Sequence, residues 1–339
     1  FINKAYRNYY QKQKEKLIEE NNLLLEIKEL ENEQQLMKLR NEQLSQDVDN
    51  KNRELAVSTM SLNSKNELLA FIKEDLKKTT ENDDKNIKWG IIGCGNVTER
   101  KSGPAYSKTK GFELFAVMRR DLEKAKEYAF RHKVPHYFTN AEELINHPEI
   151  DAVYIATPPD THKYYALKVA QAGKTCCIEK PMALNHQECL EILIAFDEKK
   201  LPLFVAYYRR SLPRFNQIKE WLDTDEIGEI RHVSWFLSKI PSPIDLAQKY
   251  NWRTDSRIAP GGYFEDLASH GLDLFVHYFG EITSVNGISL NQQKLYSSKD
   301  AIVANWLHES GVTGSGTWNF GSFERKDKVE IIGSKGKIE

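Results

Sequence analysis

The chain has 339 residues, of which 40% are hydrophobic and 11% aromatic, enough to form the cores of two compact domains. Its formal net charge of -1 gives no electrostatic reason to expect a nucleic acid or an anionic membrane as a partner. No apolar run approaches the ~20 residues that span a bilayer, and no signal peptide is visible. The four cysteines include no CxxC pair, so we expect a soluble, cytoplasmic protein with reduced thiols and no metal site.

The first 85 residues differ in composition from the rest, because they contain no glycine, proline or histidine. Apolar residues recur in them every seven positions, which predicts a coiled coil. The first row consists of Leu23, Leu30, Met37 and Leu44, and the second of Val48, Leu55, Leu62, Leu69 and Leu76.

The stretch "EKLIEENNLLLEIKELENEQQLMKLRNEQL" resembles the linker helix of bacterial sensor-regulators that carry a β-propeller, a membrane span and a helix-turn-helix. Nothing after residue 86 has the pattern of a helix-turn-helix. We therefore interpret residues 1–85 as a separate coiled-coil segment, fused naturally or by assembly, and assign no chemistry to it.

Beyond residue 86, short apolar runs alternate with amphipathic segments, which predicts an α/β Rossmann domain with a doubly wound parallel sheet. The predicted strands are "IKWGII" (87–92), "ELFAVM" (113–118), "DAVYIAT" (151–157), "KTCCIEK" (174–180) and "LPLFVAYY" (201–208), and the predicted helices are 97–109, 121–132 and 162–173. Four further strand-like runs follow residue 281 and predict a large open sheet. The domains are thus expected at 1–85, 86–208 and 209–339, the last being an α+β substrate domain.

The turn after the first strand reads Gly93-Cys94-Gly95-Asn96-Val97-Thr98. Backbone N–H groups of a glycine turn at the start of a helix can hold a pyrophosphate, so Gly93, Gly95, Asn96 and Val97 are candidate cofactor-binding residues. Thr98 replaces the third glycine of the dinucleotide fingerprint. A purely steric use of glycine in a tight turn is the alternative.

Two arginines end the second strand and bear on the choice of cofactor. Arg119 lies 26 residues after Gly93, near the position where NAD-binding proteins have an acidic residue for the ribose. Arg119 and Arg120 favour the 2′-phosphate of NADP through charge-assisted hydrogen bonds; an exposed basic loop is the alternative.

Two motifs, "ATPPDTH" (156–162) and "EKPMA" (179–183), follow predicted strands, where ligands lie in open α/β sheets. With the glycine turn and "GGYFEDLASHGLDLF" (261–275), they resemble the Gfo/Idh/MocA family (glucose-fructose oxidoreductase, inositol dehydrogenase, rhizopine catabolism) over residues 87–339. The resemblance implies that Lys180, Asp266 and His270 are catalytic. It also places candidate cofactor contacts at Thr157, Pro158, His162, Glu179 and Lys180.

Two further segments match the family less closely. "AYYRRSLPRF" (206–215) offers Tyr208 and Arg210 as substrate-binding residues, and "NWRTD" (251–255) offers Trp252 and Arg253, beside Asp266 and His270 themselves. Packing between domains is the alternative for these side chains. Family members usually continue beyond the position of Glu339, so we expect the second domain to be incomplete.

These features together predict an NADP-preferring, metal-independent oxidoreductase that acts on a sugar, polyol or related compound, with NAD as a second cofactor. Lys180 and His270 would handle the proton during hydride transfer. A homo-oligomer is expected, and neither nucleic acid nor membrane as a partner. Two alternatives stay open: an NAD-dependent glycosidase of the same fold, and a non-enzymatic regulatory fusion that senses a dinucleotide.

Overall fold

The computed structural model describes residues 86–100, 102–109 and 111–339. The predicted coiled coil lies outside these residues. The described chain forms two sheets with helices packed on them, and none of its helices combines the length and the apolar character needed to cross a membrane.

The first sheet is six-stranded and parallel, in the order β3-β2-β1-β4-β5-β6. This is the order of a doubly wound dinucleotide-binding sheet, so the predicted fold class is confirmed. Its strands are β1 (Ile87–Ile92), β2 (Phe112–Met118), β3 (His136–Phe138), β4 (Ala152–Ile155), β5 (Thr175–Ile178) and β6 (Leu203–Val205). The helices of this domain are α1 (Asn96–Arg100), α2 (Gly103–Lys108), α3 (Leu122–His132), α4 (Ala141–Ile145), α5 (His162–Gln171) and α6 (His186–Glu198).

The second sheet is mixed and has the order β12-β11-β7-β10-β9-β8, with β10 parallel to β7 and the other pairs antiparallel. Its strands are β7 (Ile230–Ser238), β8 (Ile282–Leu290), β9 (Ala301–His308), β10 (Thr313–Asn319), β11 (Lys326–Gly333) and β12 (Lys337–Ile338). The helices are α7 (Pro213–Asp223), α8 (Pro243–Leu246) and α9 (Tyr263–Phe279).

Helix α9 packs on one face of this second sheet and carries the predicted catalytic pair. Its Phe275 ring meets Trp235 of β7 edge-on, with 5.8 Å between the centroids. At Gly271 the approach is so close that a Cβ would fall 2.4 Å from the Trp235 ring. Glycine is therefore needed there, and the contact fixes how deep the helix sits on the sheet.

The single helix predicted over 97–109 is wrong, because the structure contains two short helices in its place. Thr98, fully buried, closes the turn that opens α1: its hydroxyl accepts from the Gly95 N–H and donates to the Gly95 carbonyl, both at 2.9 Å. Gly103 then begins α2 directly against α1, where a Cβ would lie 2.1 Å from the Thr98 carbonyl oxygen. At the position of the third fingerprint glycine, Thr98 thus supplies a hydroxyl group that forms hydrogen bonds within the turn.

Gly103→Ala should destabilise the first domain by about 1–3 kcal/mol, because the added methyl overpacks the contact with the backbone of Thr98. The free energy of unfolding is measured by denaturant titration. Ser107→Ala, on the exposed side of the same helix, is the matched control and should be near neutral. Equal stability of the two variants would contradict the close approach.

Candidate active site

Three loops that follow parallel strands meet at one edge of the first sheet. Gly93 follows β1, Thr157 follows β4 and Lys180 follows β5. Gly93 has φ +89°, and a Cβ there would lie 2.7 Å from Thr157 Cγ2. The structure therefore brings the glycine turn and the "ATPP" segment into contact, at the point where the strand order reverses and such sheets bind ligands.

The turn fits a dinucleotide by a steric criterion. A Cβ at Gly95 would find its nearest neighbour, the Gly93 carbonyl oxygen, at 3.8 Å, so the backbone is open on that side. Asn96 is exposed and Val97 half-buried. A side chain at Gly95 would take up space that a diphosphate needs for close approach to the backbone.

Arg119 and Arg120 end up in different surroundings. Arg119 is half-buried, and its Nη1 donates to the Cys94 carbonyl at 3.2 Å. Arg120 is exposed. Arg119 thus supports the glycine turn as well as adding positive charge beside it, whereas Arg120 adds charge alone.

An ion pair between the two domains joins Lys180 to Asp266, which are 86 residues apart in the chain. Lys180 Nζ lies 2.5 Å from Asp266 Oδ1 and 2.7 Å from the Asp266 carbonyl oxygen. Arg253 Nε donates to the other carboxylate oxygen, Oδ2, at 2.9 Å. One carboxylate on α9 is therefore shared by two cations from separate segments.

This sharing sets the charge state of the carboxylate. Burial acts to raise the pKa of Asp266, but the charges and hydrogen bonds of Lys180 and Arg253 outweigh it and hold the pKa below its ordinary value. Arg253 is itself oriented by Trp252, with 4.2 Å from the guanidinium carbon to the ring centroid. Asp266 is thus an anion that positions both cations.

His270 lies one turn after Asp266 on α9 and is buried. The Tyr208 ring meets its imidazole edge-on at 5.3 Å between centroids, and Tyr207 lies at 6.0 Å. Tyr208 is half exposed. The structure therefore groups Tyr208, His270 and Asp266 on the segments that face the end of β5.

Arg210, predicted to bind substrate, forms a two-pronged ion pair with Asp273. Its Nε and Nη2 each donate to an Asp273 carboxylate oxygen at 2.7 Å. The pair joins the segment after β6 to α9. These bonds are consistent with the alternative that Arg210 has a packing role. A role of Arg210 in substrate binding stays a prediction.

The Glu179 side chain accepts a hydrogen bond from a buried residue of the first sheet. The hydroxyl of Tyr154, a fully buried residue of β4, donates to Glu179 Oε1, and Glu179 Oε2 accepts from the Lys180 N–H at 3.2 Å. Burial, followed by the charge of Glu179, raises the pKa of Tyr154. The sequence analysis did not identify Tyr154 as a site residue, because a tyrosine in a buried strand looks like core.

His162, predicted to contact the cofactor, has its side chain enclosed within the first domain. Its side chain has no exposed surface, and its two ring nitrogens lie 2.9 Å from the Pro181 carbonyl oxygen and 2.8 Å from that of Thr157. The enclosure favours an indirect contribution of His162 to the site, and a direct cofactor contact stays a prediction.

A buried network around Asp245 was also missed by the sequence analysis. Tyr263 Oη donates to Asp245 Oδ2 at 2.5 Å, and Asn251 Nδ2 donates to Asp245 Oδ1 at 3.1 Å. This ties the loop that carries Trp252 and Arg253 to the first residue of α9. No motif in the sequence marks it; only the structure brings α8 and α9 together.

Comparison with protein families identifies both domains. The Gfo/Idh/MocA model described as "Oxidoreductase family, NAD-binding Rossmann fold" matches residues 87–207, and the model of the Gfo/Idh/MocA C-terminal domain matches residues 215–339. Among curated proteins, Oxidoreductase P35 of Formosa agariphila is 43% identical over 256 residues, covering 75% of this chain and 79% of the relative. The trans-1,2-dihydrobenzene-1,2-diol dehydrogenase of Sus scrofa is 26% identical, covering 75% of this chain and 73% of the relative.

Solved structures show the same fold. The WlbA dehydrogenase of Bordetella pertussis, in complex with NADH and UDP-GlcNAcA, superposes with a TM-score of 0.68 at 24% identity, covering 75% of this chain and 73% of the other. The scyllo-inositol dehydrogenase of Lactobacillus casei, with NAD(H) and scyllo-inositol bound, has a TM-score of 0.65 at 23% identity, covering 75% and 76%. Since family models match both domains and a relative is 43% identical over most of the chain, this protein belongs to the Gfo/Idh/MocA family of NAD(P)-dependent oxidoreductases.

Proposed function

We propose that this protein is an NADP-preferring oxidoreductase that interconverts a hydroxyl and a carbonyl group on a sugar, polyol or related compound. The observation that carries the proposal is the bond between Lys180 Nζ and Asp266 Oδ1, 2.5 Å long, at the sheet edge that also holds the glycine turn. It supplies a positioned hydrogen-bond donor beside a nucleotide-binding edge, as alcohol oxidation and carbonyl reduction require.

Several residues would hold the cofactor. The backbone of Gly93 to Val97 would bind the diphosphate, Arg119 and Arg120 the 2′-phosphate, and Thr157, Pro158 and Glu179 would line the path toward Lys180. A bound nicotinamide would supply the hydride-accepting or hydride-donating carbon.

The chain's own residues would manage the proton and the oxygen. Lys180, held by Asp266, would donate a hydrogen bond to the substrate oxygen. His270 would accept the proton that leaves a hydroxyl group or return it to a carbonyl oxygen, since histidine exchanges protons near neutral pH. With both of its oxygens engaged, Asp266 would act chiefly by positioning Lys180 and Arg253.

The proposed substrate class is supported by the predicted substrate-binding side chains and by the solved structures of similar fold. Tyr208 and Trp252 offer aromatic faces and edges, and Arg253 offers donors for hydroxyl groups. The neighbours of similar fold include proteins named for inositol substrates and one crystallised with a nucleotide sugar. A polyhydroxylated substrate is consistent with both observations.

We also propose that the protein forms a homo-oligomer through the face of the second sheet opposite α9. Ile288, Val303 and Phe236 lie on three of its strands and are 67%, 50% and 42% exposed. Ile288 pairs with Val303, and Thr317 of β10 lies between Val303 and Phe236 in the register. An apolar row of this kind, uncovered by the described residues, is typical of an interaction surface.

The cofactor assignment predicts that the double variant Arg119→Ser/Arg120→Ser binds NADPH more weakly, by about 1.5–3 kcal/mol for lost hydrogen bonds to a charged group, while NADH binding changes little. Dissociation constants are measured by fluorescence titration. Arg120→Ser alone isolates the charge, because Arg119 also supports the turn. Lys126→Ser, an exposed cation on α3, is the control. Equal losses for both cofactors would contradict the preference for NADP.

The proton pathway predicts that Lys180→Met and His270→Ala each lower kcat by on the order of 10² or more, the usual effect of removing a positioned acid or base. NADPH affinity should change much less, since the diphosphate would be bound at Gly93 to Val97. Turnover is measured on the best substrate from a screen of aldoses, ketoses, polyols and deoxy-keto sugars with NADP(H) and NAD(H). Lys199→Met, at the end of α6, is the control.

Near-normal turnover in both variants would contradict the assignment. Loss of cofactor binding together with turnover would show that the two residues are structural. Failure of every compound in the screen to exchange hydride, with cofactor binding intact, would contradict the proposed activity itself. Release of an aglycone from glycosides with retained NAD would instead identify a glycosidase.

The oligomer is tested by light scattering and analytical ultracentrifugation. Val303→Lys and Ile288→Lys should shift the protein toward the monomer, because each places a charge in the apolar row. Phe130→Lys, at an 85% exposed apolar position on α3, should leave the mass unchanged. A monomeric wild-type protein would refute the proposal.

A further inference from the structure

We infer that His162 is a positioning residue that sets the cofactor loop after β4 and the lysine loop after β5 relative to each other. The inference deepens the proposed function, because it concerns how the same site is assembled. It rests on the two ring-nitrogen contacts of His162 and on the complete enclosure of its side chain.

The two ring nitrogens contact backbone carbonyls in the two loops that carry predicted site residues. Nε2 lies 2.8 Å from the carbonyl oxygen of Thr157, and Nδ1 lies 2.9 Å from that of Pro181, which directly follows Lys180. The ring is carried by the first residue of α5. One rigid, planar side chain therefore spans the loops of two neighbouring strands.

The enclosure makes the contacts specific. Burial lowers the pKa of His162, whereas the hydrogen bonds to the Thr157 and Pro181 carbonyls and the charge of Glu179 act to raise it. Each ring nitrogen faces the carbonyl of a different loop, and a nitrogen that carries a hydrogen donates to the carbonyl that it faces. Since the side chain has no exposed surface, bulk water does not replace a contact that is lost.

The nearby contacts show why the relative position of the loops matters. Thr157 packs against the glycine turn, where a Cβ at Gly93 would meet its methyl group at 2.7 Å. Lys180 reaches across to Asp266 on α9. A shift of one loop against the other would move the cofactor seat away from the lysine that must face it, and small displacements of such groups are costly for turnover.

Two variants separate the two contacts. The amide nitrogen of asparagine replaces Nδ1 of histidine and that of glutamine replaces Nε2, so His162→Asn retains a donor toward Pro181 and His162→Gln retains one toward Thr157. We expect His162→Asn to weaken NADPH binding about five- to tenfold and to leave kcat largely intact, the scale of one lost hydrogen bond. His162→Gln should lower kcat by a similar factor and spare NADPH affinity.

Dissociation constants come from fluorescence titration and kcat from steady-state turnover, with thermal unfolding of each variant as the check on folding. Lys163→Gln, the next residue on α5 with a partly exposed side chain, is the matched control and should resemble the wild type. Opposite responses of the Asn and Gln variants would support the inference, because a merely structural histidine would not produce them.

Equal losses in both variants, no loss in either, or unfolding of both would overturn the inference. The outcome is separable from that of the proposed function. If the wild type binds NADPH but turns over no compound in the screen, the proposed activity fails, while the difference in NADPH affinity between the Asn and Gln variants still decides the role of His162 at the Thr157 loop.

Discussion

The site depends on one carboxylate that is shared between the two domains. Asp266 is largely shielded from bulk water, and an unpaired anion in such a place is costly. The pKa of Asp266 stays low because Lys180 and Arg253 supply compensating positive charge. Removing either cation would leave the remaining charges imperfectly paired in a partly buried place. The free-energy cost of such unpaired charge exceeds the net stabilisation that the ion pair provides. The orientation of Lys180 is therefore decided by a helix of the second domain as much as by its own strand.

Much of the first domain could be predicted from the sequence, because each strand there is a short apolar run that ends in a recognisable turn. The run "IKWGII" before Gly93 is such a case, and the strand matches it residue for residue. Asp266 and His270 were predicted as site residues from the resemblance to the Gfo/Idh/MocA family, with which their four-residue spacing agrees, and the structure places both on one helix. The local pattern sufficed for the strand, whereas the roles of Asp266 and His270 depended on the resemblance and stay predictions.

What escaped prediction depended on partners distant in the chain or on weaker local signals. In the central strand β7, Val233, Trp235 and Leu237 alternate with polar residues except at Phe236, and this period of two would have indicated the strand. Asn185 followed by Glu188 is a sequence pattern that indicates the start of helix α6. In the structure the backbone N–H of Glu188 donates to the Asn185 side chain at 3.0 Å. By contrast, no local pattern marks Asp245 or the inward direction of His162, since both are decided by which loops the fold brings together.

The contact between Gly271 and the Trp235 ring has an evolutionary consequence. Because the depth of α9 is set by the sheet beneath it, the middle of the helix is held by a contact that does not involve the segment 243–262 before it. Asp245 and Arg253 of that segment are bonded to Tyr263 and Asp266 of α9, so change among descendants is least constrained at its exposed positions, such as Leu246 and Tyr250. The fold thus separates a reaction centre held on α9 from exposed positions of the preceding loop, whose change disturbs that centre less.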